Sequence, residues 1–536
     1  MDNKIIKLGA GENLDVPKPP GATGGVAETG RSRASRRRLA ARRGRAADEI
    51  NLLRVFWLVV AVLAGYAIIT LPSRPAVFTL AGLLVSIFAL LPAYLWCRRA
   101  VGGLPLFPLF AGIYLLTHAL QFLIASPKIR VYPAEAIWQA ALTTSGFLLV
   151  ATLVWLYWVR LPRRLPPTCR VLGAQRGTEF LFWALAASTL MTLFDQAGWL
   201  TVLHGGMLTL VRQFFQGPTC FAIFVLAMRW GNRSLPPAQV SRFIGLLIIY
   251  CLAVASAIFL VGAIIACLML ALGFIIGRQS VPWWWLMPLI TVLAVLHSGE
   301  SKMRARYWAE GSQGTVVQPW NYPALYREWL QDSWQQMSSQ NQGGEEKESI
   351  FERAGTLMLM LQAQTMTPDQ VPFLKGATYA IIPSALVPRV FNPLKASPID
   401  SDTLLNVHYG NQTVEDTRTT TIGWGLLNEA LANFGYWGCL LLALILGTFY
   451  GLMTRFSFGL PSDSLPALAG VFTLSFALQT EMTAAVFVTA YLQGLFALLV
   501  MAYPFMEVRP LSSVTGIDRR ERWKQQMAER AVASSQ

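Results

Sequence analysis

Taken as a pattern of apolar and polar positions, the chain is a succession of long hydrophobic runs separated by short polar breaks. The runs fall at about 52–71, 76–96, 104–125, 136–159, 179–198, 208–230, 242–257, 260–277, 281–298, 434–454, 465–483 and 485–506. Each approaches the ~20 residues a helix needs to cross a hydrocarbon core of about 30 Å. The pattern predicts about twelve transmembrane helices. The faintest break lies near Ser256, inside an apolar stretch too long for one span even when tilted. Arg98/Arg99, Arg160–Arg164, Arg229/Arg233, Arg278 and Arg455 follow spans that end on one side. The positive-inside rule makes that side cytoplasmic and places both termini there. Trp283–Trp285, at the cytoplasmic end of the ninth run, fit an interfacial aromatic belt.

The predicted organisation is a basic cytoplasmic tail over 1–50, nine spans within 51–298, an outer segment over 299–433, three spans within 434–507 and a second basic tail over 508–536. The outer segment, about 135 residues, is long enough to imply a function. Tyr326, Trp329, Leu330, Trp334 and Met337 recur at helical spacing and predict one helix with these residues on a common face. Ser349 and Glu352 form a capping-box pattern for a second helix running through Gln364, with NQGGEEKES as the link between the two. Beyond Thr367, prolines at 372, 383, 388, 393 and 398 allow only short helices. The fold expected is an all-α polytopic membrane protein with one large, partly helical loop near the C-terminus.

Composition agrees and narrows the function classes. With 54% hydrophobic residues, 14% charged and a mean hydropathy of +0.44, a soluble domain is excluded. The net charge of +15 is concentrated: eight arginines crowd Arg31–Arg45, and the tail from Arg519 to Arg530 is basic again. Membrane topology accounts for these clusters, so no nucleic-acid partner is inferred. Some fifty polar residues precede the first apolar run, which is not a secretory signal pattern. The six cysteines lie in or near spans, and no Cys/His pair has metal-ligand spacing, so neither metal nor cofactor is expected. There is no internal repeat, no glycine-rich phosphate loop and no Asp-x-Asp motif.

Charge on the outer side runs against the insertion bias and marks the candidates. Lys302, Arg304 and Arg306 follow the ninth span; they either snorkel to lipid phosphates or hold an anionic ligand at the bilayer surface. Arg212 opens a span from its outer end, facing a cavity or pairing with Asp195. Arg130 and Lys128 read as loop charges. In the outer segment Arg389 follows Pro388 and Lys395 follows Pro393, so restricted backbones aim both cations. Arg353, His408 and Arg418 are further candidates. Asn428-Glu429 stands where the chain re-enters the membrane. Glu429 is expected among cations, either accepting a proton or ordering an arginine, and Glu481 is expected as a second buried carboxylate.

From Val371 to Gly438 the chain also carries PFLKGATY, VPRVFNPLK and GWGLLNEALANFGYWG. This stretch resembles the oligosaccharide repeat-unit polymerases (Wzy type), bacterial membrane enzymes that extend O-antigen and exopolysaccharide chains on a polyprenyl diphosphate carrier. The resemblance implies a GT-C-like architecture in the bacterial inner membrane and a metal-independent glycosyltransferase. Arg389 and Lys395, with Arg353, stand where the resemblance places functional cations; joined to the charge reading above, catalytic roles are expected for Glu429, Arg389 and Arg304, with Arg212, Lys302, Arg306, Arg353, Lys395 and His408 binding substrate. The implied partners are a lipid-linked oligosaccharide donor and acceptor, membrane lipids, a chain-length regulator and a flippase. O-antigen ligases resemble a pattern with His at the re-entry point, where this chain has Asn428-Glu429. The alternatives are such a ligase-like glycan transferase and, from another class, a polysaccharide flippase or exporter.

Overall fold

The protein is described by a computed structural model that covers residues 52–200, 206–278, 280–308, 316–338, 355–387, 392, 395–419, 421–479 and 481–511. Every predicted apolar run forms a helix. These are α1 (Leu52–Thr70), α2 (Ala76–Cys97), α3 (Leu106–Ile124, with a π-turn at Leu115–Ala119), α4 (Ala134–Arg160), α5 (Ala174–Gln196) and α6 (Gly206–Gly231). After them come α7 (Pro237–Ala255), α8 (Val261–Arg278) and α9 (Trp283–Tyr307). The long polar segment contributes α10 (Tyr322–Ser338), α11 (Leu357–Met366), α12 (Ile381–Leu386), α13 (Asp400–His408) and α14 (Asp416–Thr419). Finally α15 (Leu426–Ser457), α16 (Leu465–Ala477) and α17 (Ala484–Ala502) return to the bundle. The molecule is a mostly helical, polytopic membrane protein. Among the described residues nine helices are long and apolar enough to cross a membrane.

The break at Ser256 is real: α7 ends at Ala255, Ile258 takes a left-handed φ of 57°, and α8 starts at Val261. One departure from an all-α fold is a two-stranded antiparallel sheet, β1 (Thr168–Leu172) with β2 (Met506–Pro510). It constrains topology. Val171 also bridges Ser464, and the Leu172 N–H donates to the Asp463 carbonyl at 2.9 Å. The loops before α5, before α16 and after α17 therefore share one side of the bundle. If α17 crosses, α16 must cross with it. Yet α16 has 13 residues, about 20 Å of helix, short of the hydrocarbon thickness. The non-helical stretch 478–483 completes the passage, which a bilayer tolerates only where protein covers it.

Arg163 donates to the carbonyls of Arg455 and Phe456, Arg455 returns a bond to Pro162 at 2.9 Å, and Arg229 pairs with Asp463 at 3.7 Å. The Arg-rich loops thus meet on a single face, termed here the arginine face. The described parts of the 299–425 segment gather at the opposite, loop face, where the Val317 N–H bonds the Gln196 carbonyl at the far end of α5. The core between them is dense. Phe107, Phe110 and Tyr114 of α3 stack with Trp155 of α4 and Tyr450 of α15. Gly447 lets α15 touch α4, where an added Cβ would stand 2.7 Å from the Ala151 carbonyl.

The long segment folds in two parts. The first is α10, packed on the end of α9 and on the turn between α7 and α8 around Met303, Tyr322, Leu325 and Trp329. Its buried stripe is Tyr322, Leu325, Trp329, Asp332 and Ser333. The expected helix forms and keeps Tyr326, Trp329, Leu330, Trp334 and Met337 on one face, but that face is mostly turned outward: of the five only Trp329 is buried, and Leu330, Trp334 and Met337 are exposed. The second part, the described residues of 355–425, meets α3 at Gln121, α4 at Ala136, α15 at Asn428 and the start of α17 at Thr483. Only short helices form after Thr367, as the prolines require. The Ser349/Glu352 capping box lies outside the described residues.

Candidate functional site

The cations beside α9 find protein partners. Arg304 sits one turn beyond Glu300, which is buried, and pairs with it. Its Nε donates to the Ile258 carbonyl at 2.9 Å, and its guanidinium lies 5.2 Å from the Phe259 ring and 4.8 Å from Trp308. It therefore fastens α9 to the left-handed turn between α7 and α8. Arg306 pairs with Glu328 and, at 3.2 Å, with Asp332; Lys302 pairs with Asp332 and donates to Gln335 at 3.1 Å. Burial alone would push the Asp332 carboxyl up, yet Lys302 and Arg306 hold it below the ordinary carboxylate value. Arg212 grips Asp195 through two bonds of 2.7 and 2.8 Å. Of the two sequence readings for Arg212, the geometry is that of the ion pair. Lys302, Arg304 and Arg306 thus form a clasp between α9, α10 and the turn that follows α7.

The Asn428-Glu429 pair occupies the first turn of α15 and is fully buried. Asn428 Nδ2 donates to the carbonyls of Thr356 at 2.9 Å and Trp424 at 2.8 Å. On the same side His118, within the π-turn of α3, neighbours Asn428 and takes a 3.0 Å contact between Nδ1 and Thr117 Oγ1. Glu429 points the other way. Its Oε2 accepts the Ala484 N–H at 2.6 Å, so a carboxylate caps the N-terminus of α17, where unpaired N–H groups and the helix dipole favour an anion. Thr378 and Asp402 are its other neighbours. No cation faces Glu429 among the described contacts; Arg353, Arg389 and the Arg418 side chain lie outside the described residues.

The second buried carboxylate is Asp402, not Glu481. Asp402 accepts from Thr483 Oγ1 at 3.3 Å, and Thr483 also bonds Ser401 at 2.7 Å. Burial pushes the Asp402 carboxyl up to about 7, with the Thr483 hydroxyl and the Trp424 backbone N–H pulling back. Glu481 is exposed, and it is its carbonyl that the fold uses, accepting the Gly425 N–H at 2.9 Å. One oxygen each of Asp402 and Glu429 remains buried without a hydrogen-bond partner. Two carboxylates thus converge on the unwound end of α17, each with a free lone pair.

Over this pair lies the stretch 371–376. The N–H groups of Leu374 and Lys375 donate to the carbonyls of Ala432 and Asn433 at 3.2 and 3.1 Å, and Gly376 N donates to Asn433 Oδ1 at 2.9 Å. Asn433 spends its amide on Thr378 Oγ1 and on the Glu429 carbonyl, both at 2.9 Å. Just beyond, Gly435 adopts φ 61°, ψ −148°, a conformation closed to side chains, and kinks α15 against the Phe373 ring. PFLKGATY and NEALANFGYWG, about 50 residues apart in sequence, are in direct contact.

Of the remaining candidates, His408 Nε2 lies 2.8 Å from the Pro372 carbonyl and ties α13 to this stretch. Lys395 donates to the Ala385 carbonyl at 2.7 Å, closing the end of α12. Arg389 and Arg353 lie outside the described residues, as does the Arg418 side chain. Lys375, which the sequence reading quoted within PFLKGATY without singling it out, is exposed and holds a left-handed φ of 51°. A non-glycine residue in that region is uncommon and repays attention. The structure gathers Glu429, His408 and Lys395 into the 371–438 layer. Lys302, Arg304 and Arg306 belong to the α9–α10 clasp instead.

Fold and site together define a polytopic helical membrane protein with a buried carboxylate pair beneath a folded layer on one face. No family model matches the chain, and neither the curated proteins nor the solved structures include a match.

Proposed function

We propose that this protein is a lipid-carrier glycan polymerase of the bacterial cytoplasmic membrane, with twelve spans, the arginine face in the cytoplasm and the 299–433 segment outside. The observation that carries the reading is the contact just described. The two ends of the stretch that resembles repeat-unit polymerases fold onto each other above two buried carboxylates. In the reaction proposed, a hydroxyl of the lipid-linked acceptor attacks the anomeric carbon of the donor glycan. The C–O bond to the polyprenyl diphosphate breaks, the diphosphate leaves with the electron pair, and the hydroxyl proton passes to the Asp402–Glu429 pair. A base poised near neutrality suits that transfer. Because both carboxylates are buried, the acceptor reaches them only when the covering layer lifts. Lys375, Lys395 and Arg389 are the cations assigned to the departing diphosphate, where charge grows in the transition state. Arg304, Arg306 and Lys302 are assigned to holding α9 and α10 in place.

The test is to delete the gene in its host and follow lipid-linked glycan. Single repeat units accumulating on the outer leaflet are expected. Accumulation on the inner leaflet would assign the protein to the flippases, and intact polymer left on its carrier would assign it to the ligases.

A further inference from the structure

The register between α9 and α10 fixes how deep α10 reaches. The helices run antiparallel: Tyr307 and Arg306 meet Glu328, Lys302 meets Asp332, and a Cβ at Gly299 would stand 2.3 Å from Ser333 Oγ. Trp329 Nε1 donates to the carbonyl of Leu296 at 2.7 Å. As α9 descends toward its apolar half, α10 descends beside it. Met337, four residues past Ser333, lies about 6 Å deeper at the helical rise. That is level with Val295 of α9, which is half-buried, and the exposed apolar band of α9 at Val292 and Ile290 begins about one turn deeper.

Turned away from the buried stripe of α10, Leu330, Trp334 and Met337 are 47%, 71% and 44% exposed; Leu330 and Trp334 line a shallow groove with Pro323, Tyr326, Arg327, Gln331 and Gln335, and Met337 lies beyond its bilayer end. Arg327 sits toward the water end of that face and the three apolar residues toward the bilayer end, which reproduces the order of phosphate above acyl chain. Gln331 and Gln335 form the polar edge of the same groove, each about 100° round the helix from Leu330 and Trp334.

We propose that the C-terminal half of α10 is an interfacial membrane helix. It lays Leu330, Trp334 and Met337 into the leaflet on the loop face, with Arg327 among the lipid phosphates. An apolar helix face enters the headgroup–acyl boundary by about 5–10 Å, and tryptophan is favoured there. The clasp of Lys302, Arg304 and Arg306 then has a reason: it holds α10 at a fixed depth. Continuity with the exposed apolar band of α9 favours lipid as the occupant over a second protein.

The experiment places nitroxide labels on the full chain reconstituted in phosphatidylethanolamine–phosphatidylglycerol vesicles, one at a time, through Leu330→Cys, Trp334→Cys and Gln331→Cys. Five native cysteines are buried and Cys251 is half-buried, so the unsubstituted protein serves as the blank. Collision with oxygen, which concentrates in the bilayer, is compared with collision with a water-soluble nickel complex. The expected result is an oxygen-to-nickel ratio several-fold higher at 330 and 334 than at 331. Equal ratios at the three positions would place α10 in water. Protection of 330 and 334 from both reagents would mean that protein covers the face. Either result overturns the proposal.

Discussion

Glu429 separates anchoring from proton transfer, because two substitutions remove different things. Replacing it with Ala leaves the Ala484 N–H buried and unpaired at the head of α17. A hydrogen bond to a charged group contributes about 1.5–3 kcal/mol. The favourable anion–dipole term adds about 0.5 kcal/mol, and the cavity left by the side chain about 1–2 kcal/mol. Relief of repulsion from Asp402 returns part of this, so Glu429→Ala should destabilise the protein by about 4 kcal/mol. Glu429→Gln is different: the amide oxygen still accepts from Ala484, and the amide nitrogen replaces the oxygen that has no partner. It should stay within about 1 kcal/mol of the parent. Unfolding can be followed in detergent with a maleimide dye that reports exposure of buried cysteines, since Cys97, Cys169, Cys220, Cys267 and Cys439 are buried. If the carboxylate accepts the acceptor proton, Glu429→Gln should melt like the parent and lose about 100- to 10,000-fold in polymerisation rate. A Glu429→Ala protein that melts like the parent would refute the anchoring, and a Glu429→Gln protein at full rate would refute the proton transfer.

Arg304→Ala breaks a partly exposed ion pair and strips the Ile258 carbonyl of its donor, so it should cost about 2–3 kcal/mol in the same melt; an unchanged melting point would return Arg304 to the list of ligand-binding cations. Asp402 keeps its proton in the folded protein up to about 7, whereas the unfolded chain loses it near 3.8. Its contribution to stability therefore declines as pH rises from about 4 to about 7 and is flat above, by on the order of 4 kcal/mol in all. Asp402→Asn should make that slope shallower, and an unchanged slope would remove Asp402 as its source. Lys375→Gly relieves a left-handed residue and should raise stability by about 0.5–1 kcal/mol. It should also slow polymerisation about 30-fold if the ammonium meets the diphosphate; an unaltered rate would take Lys375 out of the site.

The helices were legible because each has its own apolar run, and even the division at Ser256 could be read from length alone. The pairing of Arg212 with Asp195 was one of two readings the sequence offered, since Asp195 closes one run and Arg212 opens the next on the same side. The clasp was not legible. Glu328 and Asp332 lie more than twenty residues from Arg306 and Lys302, and nothing local says that α10 turns back along α9. The same gap left open what the apolar face of α10 meets, because a periodicity cannot tell a stripe that packs on protein from one that faces outward. Asp402 was invisible for a related reason. It is an ordinary helix-start aspartate in sequence, and becomes a buried acid only because α17 begins at Thr483 and brings that hydroxyl to it. Asn428-Glu429 stood out by position, but its surroundings did not follow from charge counting.

The most direct test uses purified protein in vesicles, supplied with polyprenyl-diphosphate-linked repeat units from its host and with EDTA present. The account predicts a ladder of longer lipid-linked glycans and one equivalent of free polyprenyl diphosphate for each repeat added. Folded protein that leaves the repeat units unextended, or that moves them across the bilayer without joining them, would contradict it.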